Sequence, residues 1–98
     1  MRRPTLTAIL LAALMALTAP AAEAACYADY KARRDQPYAL AYGVIELPDS
    51  ACNPRAAAAE TARRIARDGW QLLGIVSIFG REGLDARRAD AGAHFLRY

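Results

Sequence analysis

Asn53–Phe79 reads NPRAAAAETARRIARDGWQLLGIVSIF, and it decides the fold because a capped helix and an apolar strand follow each other with almost nothing between them. Asn53 is a good N-cap, since its side chain can accept from a free backbone N–H, and Pro54 suits the first helical position, where no N–H is needed. Arg55–Asp68 is alanine-rich and strongly helix-forming. Ala58, Ala62, Ile65 and Ala66 recur at i, i+4, i+7 and i+8 and define an expected inner face, small enough for close approach to a sheet. Glu60 and Arg64 stand at i,i+4, and Gly69 offers the left-handed residue that ends a helix. Trp70–Phe79 is then expected as a strand. Trp70, Leu72, Gly74, Val76 and Ile78 alternate with Gln71, Leu73, Ile75, Ser77 and Phe79, so both faces are apolar. Strict alternation with two apolar faces predicts an interior strand covered on both sides.

Toward the N-terminus, Tyr38–Leu47 carries Tyr42, Val44, Ile45 and Leu47 and ends at Pro48-Asp49-Ser50, which predicts a second strand. Cys26–Arg34 can be read as strand or helix. Asp35-Gln36-Pro37 is turn chemistry, and a hairpin would bring Cys26 near Cys52, so the hairpin is preferred. Toward the C-terminus, Glu82–Ala91 with Leu84 predicts a short helix ended by Gly92, and His94–Tyr98 alternates weakly as a last strand. The expected fold is α+β, a small α/β sandwich in the order β-β-α-β-α-β. Its sheet is antiparallel or mixed, with one long helix packed on it.

The first 24 residues carry a different message. Arg2 and Arg3 precede the apolar run Leu6–Leu17, and Ala22-Glu23-Ala24 fits a small-residue cleavage site. Charged start, short apolar middle and small-residue exit predict a cleaved secretory signal peptide over 1–24 and a single domain over 25–98, periplasmic or secreted. An uncleaved anchor, making the chain a membrane-complex subunit, is the weaker reading. A span needs about 20 apolar residues, and Thr5–Ala22 approaches that only by including threonines and Pro20. Membrane association after cleavage is therefore not expected.

Of the 98 residues, 13 are basic and 10 acidic; loss of Arg2, Arg3 and Glu23 leaves 11 and 9. The signs are interspersed, which excludes a nucleic-acid footprint. A domain of this size buries a marginal core and usually needs a staple. Cys26 and Cys52 are the only cysteines, and export favours their oxidation to one disulfide. A lipidated Cys26 fits poorly: Glu23 occupies the position where a bulky aliphatic residue is preferred, and Cys52 would be left unpaired.

Catalytic and metal-binding patterns are not expected. His94 is the only histidine and has no ligand companions in sequence. Ser50 and Ser77 are the only serines, and neither sits in a nucleophile-elbow sequence. Arg63, Arg64 and Arg67, like Arg81, Arg87 and Arg88, are interleaved with acids and read as solvated helix faces. No cofactor is expected. Tyr27, Tyr30, Tyr38 and Tyr42 all fall on the hairpin, where they serve either cross-strand packing or a contact surface. The chain is thus expected to act by binding, as an interaction or accessory protein, through a homodimer or a protein partner in the cell envelope. The rival is a small ligand-binding protein or enzyme that uses the tyrosine hairpin and His94.

Four segments carry a resemblance: Cys26-Tyr27-Ala28-Asp29-Tyr30-Lys31-Ala32, Gly43-Val44-Ile45-Glu46-Leu47, Asp68-Gly69-Trp70-Gln71-Leu72-Leu73 and Phe95-Leu96-Arg97-Tyr98. Together they resemble a group of small exported bacterial proteins of unknown function. The helix-Gly-Trp-strand element is similar to a wider family of small domains, also of unknown function. The resemblance implies the fold and the export, and no catalytic residue, ligand or cofactor.

Overall fold

A computed structural model describes residues 26–98; residues 1–25, with the expected signal peptide over 1–24, lie outside the described residues. The hairpin forms with strand β1 at Cys26–Asp35 and β2 at Tyr38–Leu47, joined by Gln36 and a cis Pro37. The pairing is antiparallel and unbroken from Cys26 opposite Leu47 to Asp35 opposite Tyr38. Helix α1 runs Pro54–Ile65 and tightens into a 3-10 turn over Ala66–Asp68. Its start is the expected cap, with the Ala56 N–H donating to Asn53 Oδ1 at 2.9 Å, and its end is Gly69 at φ 81°. Strand β3 follows at Gln71–Phe79, then helix α2 at Asp85–Ala91. The fold is α+β, a single domain with a three-stranded antiparallel sheet and two helices.

The sheet order is β2-β1-β3, so β1 is central and β3 lies at an edge. This corrects the expectation of an interior β3. Two bulges account for it. Asp29 and Tyr30 of β1 face Ser77 and Ile75, which leaves Val76 unmatched; Lys31 and Ala32 face Gly74 and Leu72, which leaves Leu73 unmatched. Each extra residue resets the alternation. Leu72, Ile75 and Ile78 therefore share the core side at intervals of three, while Leu73 and Val76 stand 55% and 53% exposed. The apolar character on both faces came from the bulges, not from double burial.

The core lies between the inner face of the sheet and α1. Ala28, Tyr30, Ala32, Ile45 and Leu47 meet Ala57, Ile65 and Trp70 there. The buried line of α1 is Ala57, Thr61 and Ile65; Ala58 and Ala62 flank it and Ala66 is exposed, a rotation of the expected face by about one residue. Small residues on both sides let the helix sit close, and the Tyr30 ring fills the remaining space. A Cβ at Gly43, cross-strand from Tyr30, would come 2.5 Å from that ring, so glycine is required there by close approach. Arg64 fastens α1 to the sheet margin, donating to the Glu46 carbonyl at 2.7 Å while pairing with Glu60 at 3.0 Å.

The Cys26–Cys52 disulfide is present, with Cα atoms 6.0 Å apart. It ties the start of the central strand to the turn that precedes α1. The expected final strand over His94–Tyr98 does not form. Gly92–His94 is a 3-10 turn, and only Phe95 makes a parallel bridge to Val44, with the Leu96 N–H donating to the Val44 carbonyl at 2.8 Å. A single bridge leaves the remaining residues free to follow side-chain contacts instead of a ladder. The observed order is β-β-α-β-α. Among the described residues no helix is long and apolar enough to cross a membrane.

Candidate functional site

The outer face of the sheet, opposite α1, carries Tyr27, Asp29, Lys31 and Arg33 on β1 and, opposite them, Glu46, Val44, Tyr42 and Leu40 on β2. Helix α2 covers only the half nearest the chain start of β1. Under it Tyr27 and Val44 are buried, and the Tyr27 and Phe79 rings stack at 6.1 Å. A polar clamp holds α2 in place. Asp29, 4% exposed, accepts from Ser77 Oγ at 2.6 Å, Tyr42 Oη at 2.8 Å and Arg87 Nε at 3.1 Å. Arg87 also donates to the Gly83 carbonyl at 2.7 Å and lies 3.9 Å over the Phe79 ring. Burial alone would push the Asp29 carboxyl up, but the hydrogen bonds from Ser77, Tyr42 and Arg87, with the charge of Arg87, hold it below the ordinary carboxyl range. Burial first, then the Asp29 carboxylate, pushes the Tyr42 hydroxyl up to about 12.

This clamp escaped the sequence reading, which placed Arg87 on a solvated helix face and gave Ser77 no partner. The available signal was a lone acid in a strand of small and aromatic residues together with a lone serine in an apolar one. Ser77, Asp29 and Arg87 do not form a nucleophile with its base. The serine donates to a carboxylate that is held ionised, and His94 is not among its neighbours. The arrangement fixes α2 on the sheet.

Beyond α2 the outer face is open. Leu40 is 64% and Tyr38 67% exposed. Leu40, Leu73, Tyr42 and Lys31 line a shallow depression of about 310 Å³. Single exposed apolar residues are ordinary, but a contiguous apolar patch on a small domain marks a contact surface. The bulge at Leu73 puts that leucine on the patch, and the edge of β3 runs beside it unpaired. Among the described residues Lys31 stands at the patch with no carboxylate within 4 Å, whereas the nearby Arg33 pairs with Asp35 at 3.4 Å and donates to Gln71 at 2.9 Å.

Of the four hairpin tyrosines, Tyr30 is 1% exposed in the core and Tyr27 4% exposed beneath α2, so neither is available as surface. Of the two alternatives for these tyrosines, Tyr27 and Tyr30 fit packing, and only Tyr38 and Tyr42 remain at the open face as contact-surface candidates. His94 lies elsewhere, in a cleft of about 460 Å³ with Arg34, Asp68, Trp70, Arg97 and Tyr98. Its ring meets Trp70 edge-on at 5.3 Å. Cys26 and Cys52 are joined in the disulfide and offer no thiol. Among the described residues no three His, Cys, Asp or Glu side chains gather to hold a metal ion. Compared with known proteins, the chain matches no family model and has no significant match among curated proteins or solved structures.

Proposed function

We propose that this is an exported, disulfide-stapled interaction protein that docks a partner protein on the open half of its sheet's outer face. The observation that supports the reading is the patch itself: Leu40 of β2 and Leu73 of β3 are exposed on either side of Lys31 of the central strand, with Tyr38 and Tyr42 beside Leu40 along β2. A sheet face costs little ordering entropy on binding, because its side chains are already held by the hairpin. Lys31 selects the kind of partner. Across a two-fold axis through this patch it would approach its own copy, a like-charge contact, so a different protein with an apolar ridge and a carboxylate fits better than a second copy. The disulfide and the leader-like residues 1–24 support a site of action in the periplasm or outside the cell.

The test is the native mass of the protein taken gently from its host's envelope, as wild type and as the Lys31→Glu/Leu73→Asp variant. The reading predicts a heterologous complex for wild type and a free chain for the variant. A free wild-type chain, or a complex that survives both changes, contradicts it.

A further inference from the structure

The cleft that holds His94 is separate from the docking patch, and none of its residues lines that patch. Arg34, Asp68, Trp70, His94, Arg97 and Tyr98 enclose it, and Arg67 joins Asp68, Arg97 and Tyr98 in an adjoining depression. Its charges are unbalanced. Asp68 is the one acidic side chain among these lining residues; it accepts from the Tyr98 hydroxyl at 2.7 Å and stands 4.0 Å from Arg97, while the Tyr98 main-chain oxygen accepts from Arg64 at 3.5 Å. Among the described residues Arg34 has no carboxylate within 4 Å. It lies 4.5 Å over the Trp70 ring, and its Nε donates only to the Pro37 carbonyl at 3.4 Å. Arg67 donates to the Arg64 carbonyl and, among the described residues, has no acidic partner within that distance either. Of the three guanidinium groups only Arg97 approaches the acidic side chain, and that carboxylate is already bonded to Tyr98.

The guanidinium groups are also held. Arg34 is stacked on a nearly buried indole, which fixes its plane while leaving donors unused. Arg97 lies over the Tyr98 ring at 5.8 Å, and it follows Leu96, whose φ of 55° is a left-handed conformation unusual for leucine. That turn, fixed by the Leu96–Val44 hydrogen bond, is what sends Arg97 and Tyr98 back to Asp68. Backbone strain retained beside a surplus of forked donors is a feature of binding sites more than of bare surface.

We propose that this cleft binds a small oxyanion, a carboxylate or a phosphate group, on Arg34 and Arg97 against the Trp70–His94 wall. Planar guanidinium forks match both oxyanions, and a lysine pair would not impose that geometry. Burial, then the charges of Arg97 and Arg34, keep the His94 imidazole below its ordinary value, and the two guanidinium charges are the part of that environment that favours an anion. A bound anion reverses the sign of the nearest charge and favours the imidazolium.

The chain provides its own probes, because Trp70 is its only tryptophan and His94 its only histidine. The oxidised protein is titrated with inorganic phosphate, and separately with acetate, against chloride at constant ionic strength. Trp70 fluorescence and the His94 ring resonances are followed. We expect a saturable change with at least one oxyanion, a rise of the His94 pKa on saturation, and a loss of about tenfold in affinity for Arg34→Gln and for Arg97→Gln. Arg81→Gln, outside the cleft, should bind as wild type does. Tighter phosphate or tighter acetate decides which oxyanion the natural ligand carries. Responses that only follow chloride, or affinities unchanged in both cleft variants while their melting curves match wild type, overturn the proposal. Arg97 is half-exposed, so its variant remains a fair test if Arg34→Gln loses stability.

Discussion

Removing the Cys26–Cys52 bridge tests how far this small fold depends on a covalent staple. The two cysteines are 26 residues apart in sequence, and the bond closes the hairpin and the following turn into one loop. In the unfolded chain that closure removes conformational freedom worth roughly 3.5 kcal/mol by the chain-entropy relation. In the native state the bridge adds little direct contact. Cys26 is already held opposite Leu47 in the ladder, so the bond secures the turn at Asp49–Ala51 and hence the capped start of α1. A domain of this size has a total stability on the order of 4–11 kcal/mol, so the loss is a large fraction of it. For Cys26→Ala/Cys52→Ala we expect a melting temperature about 15–25 °C below that of the oxidised protein. Because the effect acts on the unfolded state, the urea m-value should rise, as the uncrosslinked chain exposes more surface on unfolding. Circular dichroism under heat and urea, with and without reductant, measures both. Reductant should bring wild type to the variant's curve and leave the variant unmoved. A shift of only a few degrees with an unchanged m-value would refute the reasoning and place the stability in the core alone.

Three further outcomes follow from the packing. Arg87→Met leaves the buried Asp29 without its cation and loosens α2; because Arg87 is partly exposed, we expect a loss of about 2–3 kcal/mol by urea denaturation. In wild type the stability contributed by the depressed Asp29 pKa is fully present above the unfolded carboxyl value near 4 and fades as pH falls through the folded value. In Arg87→Met the Asp29 carboxyl is less depressed, so the stability that Asp29 loses on acidification below that unfolded value should be smaller than in wild type. Gly43→Ala forces the buried Tyr30 ring to move, since the new Cβ would stand 2.5 Å from it, and should cost about 1–3 kcal/mol. A melting curve like that of wild type would show that the ring is free to shift. Trp70→Ala empties a site only 7% exposed and also removes the Arg34 and His94 contacts; a loss of about 3–5 kcal/mol is expected, and an unchanged thermal midpoint would place the indole outside the core.

What could be read from the sequence was local or covalent. The cap at Asn53-Pro54, the left-handed Gly69, the limits of β2 and the cysteine pair each depend on neighbouring residues or on a count of two. What could not be read depended on pairing between distant segments. Periodicity assigned the centre of the sheet to the most apolar strand, yet the centre is CYADYKARRD. That strand can be central because Asp29 is neutralised by three donors and its remaining charges lie toward the hairpin turn, away from α2. The two bulges in β3 broke the period of two and made exposed Leu73 and Val76 look buried. Tyr27 and Tyr30 are three residues apart on β1 and so point to opposite faces, and both faces are covered at that point, which a list of hairpin tyrosines could not convey. The candidate surface was therefore only half legible. Tyr38 and Tyr42 were in view, while Leu40, Leu73 and Lys31 became a patch only once the sheet order was known.

The central claim is that the open half of the outer face meets a different protein, and a site-specific photocrosslinker tests it most directly. The crosslinker is placed at Leu40 in cells of the native host, with Arg55 on the exposed side of α1 as the reference position. The account predicts one discrete heterologous adduct from Leu40, absent from Arg55 and abolished by Lys31→Glu. Adducts only with a second copy of the chain, or equal yields from both positions, would contradict it.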